Sequence, residues 1–392
     1  MSEARIWDLA VVGAGPAGTA AALGALRTRP DLSVVLLDRA DFPRDKACGD
    51  GIAPHVLDVL GDVGVMGLLD DRVPVSRLRL ERGDVTVARM MRRPAWVVPR
   101  SVFDDRLVTA ARDAGARLLR HRVRDLTVGP GSVCLDGTIT ARVVVGADGA
   151  HSRVRAATGL RDAPTALAVR GYAPTTPGRR GEQVIVFGTG RRPSYAWSFD
   201  RGDGLANVGY GEVVSGGSQH PSRSLLIARV EELLPGATAD ATDWRGHHLP
   251  LSGWRWPHPD GRVLLAGDAA GLVNPLTGEG IYYAVATGLL AGRVAAAVAA
   301  GADGRQLGRS YRRAVRSFLA GHLRHTALTA KLVMAGQILE PGILAAAGDQ
   351  RVFDDLVELG LGRGRLTPAI VRGLLRSAWR EVAHARAARG YR

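Results

Sequence analysis

Apolar and polar positions along the chain fall into three patterns. The first is a continuous apolar run ending in a glycine or aspartate turn: Leu9–Val12 before Gly13, Ser33–Leu37 before Asp38, VVVGAD at 143–148 and VLLAGD at 263–268. Such runs fit parallel strands covered on both faces, and the Ala-rich helical stretches after the first and last of them predict βαβ layers. The second pattern is alternation. RLRLERGDVTVARM at 77–90 alternates, and YAWSFDRGDGLANVGYG at 195–211 holds two strand-like runs around an Asp203-Gly204 turn, which predicts a mostly antiparallel sheet. From residue 304 onward the spacing is helical, broken by Gly360, Gly362, Gly364 and Pro368.

Gly13, Gly15 and Gly18 have the spacing of a dinucleotide fingerprint in the context it requires, after a strand and ahead of a helix. Gly13 permits the tight turn, Gly15 a close approach of backbone to pyrophosphate, and Gly18 the packing of helix on strand. Asp38, twenty residues past Gly18, ends the second strand, where a carboxylate binds an adenosine ribose hydroxyl and repels a 2′-phosphate. FAD or NAD is therefore expected. The predicted fold is α/β: a Rossmann-like domain from residues 1–75, 100–160 and 260–300, an interleaved antiparallel substrate domain from 76–99 and 161–259, and a C-terminal helical cap from 301–392.

Three further segments separate the two nucleotides. FPRDKACGDG at 42–51 sets Arg44 and Lys46 beside a flexible Gly49-Asp50-Gly51 loop, within reach of phosphate and a flavin edge. Arg100-Ser-Val-Phe-Asp104 opens a helix, although Ser101 and Asp104 also fit a capping box. Asp148-Gly149 ends a strand as a cofactor contact or as an ordinary turn. The most informative stretch is VLLAGDAAGLVNPLTGEGI at 263–281. There Asp268 ends a strand and accepts hydrogen bonds from ribityl hydroxyls, while the glycine-rich start of a helix at Thr277-Gly278-Glu279-Gly280 presents free N–H groups to anionic oxygen. A solvated strand end is the alternative for Asp268.

In this order, GxGxxG, the RxxFD-type segment, the strand-end Asp-Gly and the late Gly-Asp loop resemble the FAD-dependent monooxygenase and hydroxylase superfamily over most of residues 8–300. Within it, FPRDKACGDG, YAWSF at 195–199 and GDAAGLVNPLTGEGI at 267–281 resemble the geranylgeranyl reductase family. The aromatic hydroxylases more often carry a Pro-Pro pair where this chain has Asn274-Pro275-Leu276-Thr277. The resemblance implies FAD, held by Gly13, Gly15, Pro16, Ala17 and Gly18 at the pyrophosphate and by Asp38, with Arg39 beside it, at the ribose. It places Arg44, Cys48, Gly49, Asp50, Arg100 and Asp148 around the cofactor, the Val123 backbone, on the strand after the Arg100 helix, at adenine, and Asp268, Gly278, Gly280 and Ile281 at the ribityl chain and isoalloxazine. It implies reduction of carbon–carbon double bonds in an isoprenoid or similar apolar substrate, with NADPH or NADH as electron donor. Two other readings stay open: a monooxygenase of terpenoid or aromatic substrates on the same fold, and a non-catalytic FAD-binding scaffold.

Tyr195, Trp197 and Phe199 share one strand face and form a continuous apolar wall, either a binding surface for an extended hydrocarbon or plain core. Family members commonly have Pro after that Phe; this chain has Asp200, so the substrate side is expected to differ. Cys48, in a Gly-rich loop near Lys46, is expected to have a lowered pKa and a flavin-side role, or else to be loop packing; Cys134 is strand filler. His322 and His325 have HxxH spacing without a third ligand, and His247 and His248 point to opposite strand faces, so no metal site is expected.

Composition changes this picture little. The 392 residues are 46% apolar and 23% charged, enough for a large core. Two cysteines suit a reducing compartment, and neither a signal peptide nor an uncharged run of roughly eighteen apolar residues is visible, so a cytoplasmic protein is expected. Net charge is +14, and residues 305–392 carry sixteen Lys or Arg against six Asp or Glu. That basic tail is a candidate for contact with an acidic membrane surface; without interleaved aromatics it does not suggest nucleic acid.

Overall fold

The structure, a computed structural model, describes residues 5–160, 165–190, 192–214, 221–299, 304–336 and 338–389. Its strands are β1 (Ile6–Val12), β2 (Val34–Asp38), β3 (Gly51–Ile52), β4 (Pro74–Arg82), β5 (Val85–Val97), β6 (Arg117–Arg120), β7 (Leu126–Val128), β8 (Val133–Leu135), β9 (Ile139–Gly146), β10 (Thr165–Pro174), β11 (Glu182–Phe187), β12 (Ser194–Asp200), β13 (Leu205–Val214), β14 (Thr242–Pro250) and β15 (Val263–Leu265). The α-helices are α1 (Pro16–Thr28), α2 (Pro54–Gly61), α3 (Arg100–Asp113), α4 (Arg153–Ala157), α5 (Arg223–Leu233), α6 (Ile281–Ala299), α7 (Leu307–Met334), α8 (Leu339–Gly348), α9 (Gln350–Leu361) and α10 (Pro368–Arg389).

The continuous apolar runs build one sheet, in the order β6-β2-β1-β9-β8-β7 with β15 also on β9. Its β6, β2, β1, β9 and β15 pairings are parallel, so the turns after β1, β2, β9 and β15 all open at one edge. Helices α1 and α6 cover one another through small residues. A Cβ at Gly288 would lie 2.1 Å from the Ala17 carbonyl oxygen and one at Gly292 2.0 Å from that of Ala21, so the Ala and Gly content of both helices sets their approach.

The alternating segments build the second sheet, β14-β10-β13-β12-β11-β4-β5-β3, antiparallel except for β11 on β4. It draws its strands from 74–97 and 165–250, with β3 contributed from before residue 75; the expected domain edges at residues 161 and 301 lie outside the described residues. The helices from α7 onward pack beside these sheets. His55 on α2 meets the Glu358 carboxylate of α9 at 2.9 Å, and Asn274 Nδ2 donates to the carbonyls of both Leu359 and Gly360 at 3.1 Å. Among the described residues no single helix is long and apolar enough to cross a membrane.

Candidate active site

The glycine turn after β1 forms as its sequence requires. Gly13 takes φ +99°, and a Cβ there would sit 2.4 Å from the Ala147 carbonyl oxygen. Gly18 lies inside the first turn of α1, where a Cβ would fall 1.8 Å from the Gly13 carbonyl oxygen. It is the one expected site residue that stands behind the wall instead of on it. The others, namely Gly13, Gly15, Pro16, Ala17, Asp38, Arg39, Arg44, Cys48, Gly49, Asp50, Arg100, Val123, Asp148, Asp268, Gly278, Gly280, Ile281, Tyr195, Trp197 and Phe199, all line one cavity of about 2180 Å³. Ligand pockets are commonly about 300–1,000 Å³, so this space is large enough for a dinucleotide with a second ligand beside it.

Charge is concentrated at the glycine end. Asp38 accepts the Ala14 N–H at 2.9 Å and the Ala40 N–H at 3.0 Å, which fixes its carboxylate against the turn. Arg100 makes two bonds to Asp104 at 2.6 and 2.8 Å, both groups fully buried, and Arg44 reaches the same carboxylate at 3.2 Å. Burial opposes the Arg100 charge, but Asp104 outweighs it and holds the guanidinium above its ordinary pKa. The alternative reading of Ser101 and Asp104 as a capping box does not hold: α3 starts after Pro99 with no side-chain cap, and Asp104 serves as the partner of Arg100. Both guanidinium groups stand beside Gly15, 3.3 Å (Arg44) and 3.7 Å (Arg100) from where its Cβ would be. A glycine cradle flanked by fixed cations fits a pyrophosphate.

Val123 is not on a strand. It follows β6 by three residues, in the loop before β7, because the β2–β6 pairing ends at Arg120. Asp148 lines the cavity but spends its oxygens locally, accepting from the Ser152 hydroxyl and from the Arg153 N–H at 2.7 Å, so it supports the start of α4, whose N-cap is Ser152. Asp268, at the end of the 263–268 run, accepts Lys46 Nζ at 3.0 Å, with His247 Nε2 at 3.8 Å. Burial would raise its pKa, yet Lys46 and His247 outweigh burial and hold it well below the usual carboxylate range. Cys48 departs from expectation, since burial raises the thiol pKa and outweighs the pull of Arg100 and Lys46.

The aromatic wall forms on β12, with ring centroids 5.8 Å apart for Tyr195 and Trp197 and 6.3 Å for Trp197 and Phe199. Trp197 lies over Gly209 of β13, where a Cβ would meet its ring at 2.3 Å. Tyr195 donates to the Thr277 carbonyl, tying the wall to the loop before α6. Asp200 does not line the cavity: it accepts from Thr175 Oγ1 at 2.9 Å and Gly181 N–H at 2.6 Å, a local turn role.

Around Asp50, which the FPRDKACGDG segment marks, stand Tyr172, Asn207 and Arg170, groups that carried no sequence signal. Asp50, fully buried with φ +59°, takes the Tyr172 hydroxyl at 2.6 Å and Asn207 Nδ2 at 2.9 Å on one oxygen, and its other oxygen has no partner. Asn207 in turn holds the Cys48 carbonyl at 2.8 Å and accepts Trp197 Nε1 at 2.8 Å. Burial pushes Asp50 up to about 6. Arg170, 1% exposed, holds Asp45 at 2.6 Å. Beyond the wall the cavity runs on between Leu78, Ile185 and Phe187 of the second sheet and Ile343, Phe353 and Leu374 of α8 to α10, an apolar arm with no motif of its own. The two histidines of the HxxH spacing are engaged elsewhere: His322 with Tyr283 and the Gly364 carbonyl, His325 with the Leu366 N–H.

A family described as FAD binding domain matches residues 7–326. The menaquinone reductase of Mycolicibacterium smegmatis is 35% identical over 312 residues, covering 72% of this chain and 75% of that protein. Digeranylgeranylglycerophospholipid reductase 1 of Methanopyrus kandleri is 32% identical over 308 residues, 74% of this chain and 80% of that one. Among solved structures, a geranylgeranyl bacteriochlorophyll reductase-like protein from Thermoplasma acidophilum superposes with a TM-score of 0.74 at 20% identity, over 94% of this chain and 96% of that chain.

Proposed function

Since the chain belongs to the FAD binding domain family and is a geranylgeranyl-reductase-like FAD-dependent oxidoreductase, we propose that it saturates carbon–carbon double bonds in the prenyl chain of an isoprenoid lipid or quinone. The observation that carries this reading is the apolar arm. It leads from the aromatic wall to the C-terminal helices, and its lining matches a long hydrocarbon, each Å² of which favours burial by roughly 25 cal/mol. FAD fits the other end. The loop from Gly13 to Gly18 with Arg44 and Arg100 would hold its pyrophosphate, and Asp38 with Arg39 the ribose, near the Val123 backbone at adenine. Asp148 and Asp268 would face the ribityl arm, and Cys48, Gly49, Asp50, Gly278, Gly280 and Ile281 the ring. Bound there, FAD supplies the hydride equivalent for alkene reduction, while this chain orients the alkene on Tyr195, Trp197 and Phe199 and excludes water.

NADPH or NADH is the proposed source of electrons, and the basic helices from α7 onward, with exposed Val371, Leu375 and Trp379 on α10, are the proposed contact with an acidic membrane surface. The test is anaerobic turnover of dithionite-reduced, FAD-loaded protein with geranylgeranyl diphosphate and with a menaquinone bearing an unsaturated polyprenyl chain. A product of at least one of these heavier by two hydrogens supports the reading. Product carrying oxygen and formed only when O₂ is admitted overturns it in favour of a monooxygenase, and failure of both compounds to reoxidise the flavin overturns it in favour of a scaffold.

A further inference from the structure

Saturating an alkene takes a proton as well as a hydride, and the groups around the aromatic wall differ sharply in their fitness to supply one. Cys48 is a poor acid because its burial raises the thiol pKa. Tyr195 has its hydroxyl committed to the Thr277 carbonyl, and burial raises its pKa as well. Asp50 lines the cavity but is fully shielded from solvent, with one oxygen held by both Tyr172 and Asn207. Glu279 is different. It lines the cavity, only partly buried, in the loop tied to Tyr195, next to Gly278, where a Cβ would stand 3.0 Å from the Tyr195 hydroxyl. One of its oxygens accepts the Tyr282 N–H at 2.8 Å, and this bond together with the Ile281 N–H fixes the carboxyl at the start of α6.

We propose that Glu279 is the acid that protonates the substrate alkene, an assignment that rests on the reductase reading above. In the step, the Glu279 O–H bond breaks and its electron pair stays on the carboxylate. A C–H bond forms at the alkene carbon that does not receive the hydride, and the hydride equivalent comes from the reduced flavin cofactor. Water entering along the cavity returns the proton before the next turnover. The charged and titratable groups around the carboxyl are His55 of α2, Arg100 of α3, Tyr195 of β12 and Tyr283 of α6. Burial raises Glu279 to about 7 against the two backbone N–H groups and the cations, so at neutral pH it holds a proton in a large fraction of molecules and gives it up readily.

The experiment compares wild type, Glu279→Gln and Glu279→Asp as FAD-loaded proteins, using whichever of the two prenyl compounds wild type saturates. If wild type saturates neither, the reductase reading has failed first, and the assignment with it. If wild type is active, the expected result is a loss of about 10²- to 10⁴-fold in Glu279→Gln, the range of general-acid contributions, with flavin content unchanged and partial recovery in Glu279→Asp. The wild-type rate should fall tenfold per pH unit above about 7, a limb missing from Glu279→Gln. A second readout needs no turnover and no cofactor: the protonated-carboxyl infrared absorption of the apoprotein should include a component that disappears as pH rises through about 7 in wild type and is missing from Glu279→Gln, while the Asp50 component, lost near pH 6, is common to both. A Glu279→Gln rate within about threefold of wild type, with the same pH limb, overturns the assignment. So does a carboxyl band identical in the two proteins, a result that also decides the matter should the variant bind FAD poorly.

Discussion

The two ends of the cavity are made of opposite materials. At the glycine end, charges are fixed against backbone turns: Asp38 on Ala14, Arg100 on Asp104, Asp268 on Lys46. At the far end, β4, β11 and the helices from α8 onward offer apolar side chains and little that is directional. A polar pocket of the first kind has to be preorganised, because each buried charge without its partner costs several kcal/mol. An apolar pocket of the second kind needs only volume and dryness, so its residues vary freely in kind while keeping their hydrophobicity.

The contrast is sharpest in Arg100→Ala. Removing the guanidinium leaves Asp104 buried with only Arg44 at 3.2 Å, and the expected cost is about 3 kcal/mol of stability, together with weakened FAD retention. Chemical denaturation and flavin absorbance after desalting measure the two; unchanged values for both would break the idea that charge pairing builds this end. Next in size, Ile343→Trp should fill the apolar arm at an overpacking cost of about 1–3 kcal/mol. Turnover of a long prenyl substrate should drop about tenfold or more while flavin content stays at the wild-type level, since Ile343 lies on α8, away from the glycine turn. Equal loss of flavin and turnover would mean the two ends are not separable.

The smallest effect belongs to Asp50, between the two ends. Its folded-state pKa of about 6 lies above the ordinary 3.8, so the folded form binds the extra proton. Its contribution to stability is complete below about pH 3.8 and is lost as pH rises through 6. Melting curves of wild type and Asp50→Asn across pH 4 to 8 should therefore diverge in slope in that window. Parallel curves would remove Asp50 from the set of groups that titrate in the fold.

The same contrast explains what could be read from the sequence. The turn after β1, Asp38, the Gly-Asp loop at 267–268 and the aromatic face of β12 follow from local rules: glycine where a Cβ has no room, and alternation where a strand has two faces. The apolar arm follows no local rule. Ile185, Ile343 and Phe353 meet only because β11 pairs with β4 and α8 packs near them, contacts spanning more than a hundred residues of sequence. Cys48 was misjudged for a related reason, since the neighbouring Lys46 is visible in the sequence and the burial that outweighs it is not. Asp104 fits a capping pattern by spacing, yet the stronger demand came from a buried guanidinium one turn away.

The forked grip of Asn274 on the last carbonyls of α9, with Thr277 Oγ1 also donating to Gly360 at 2.8 Å, has an evolutionary consequence. A tail borrowed from a relative would arrive with carbonyls shaped for a different loop. Grafts that carry residues 274–280 along with the tail should mature into folded hybrids, whereas grafts of the tail alone would leave the amide of Asn274 stranded. Exchange of the C-terminal helices is thereby harnessed to a seven-residue stretch that precedes α6.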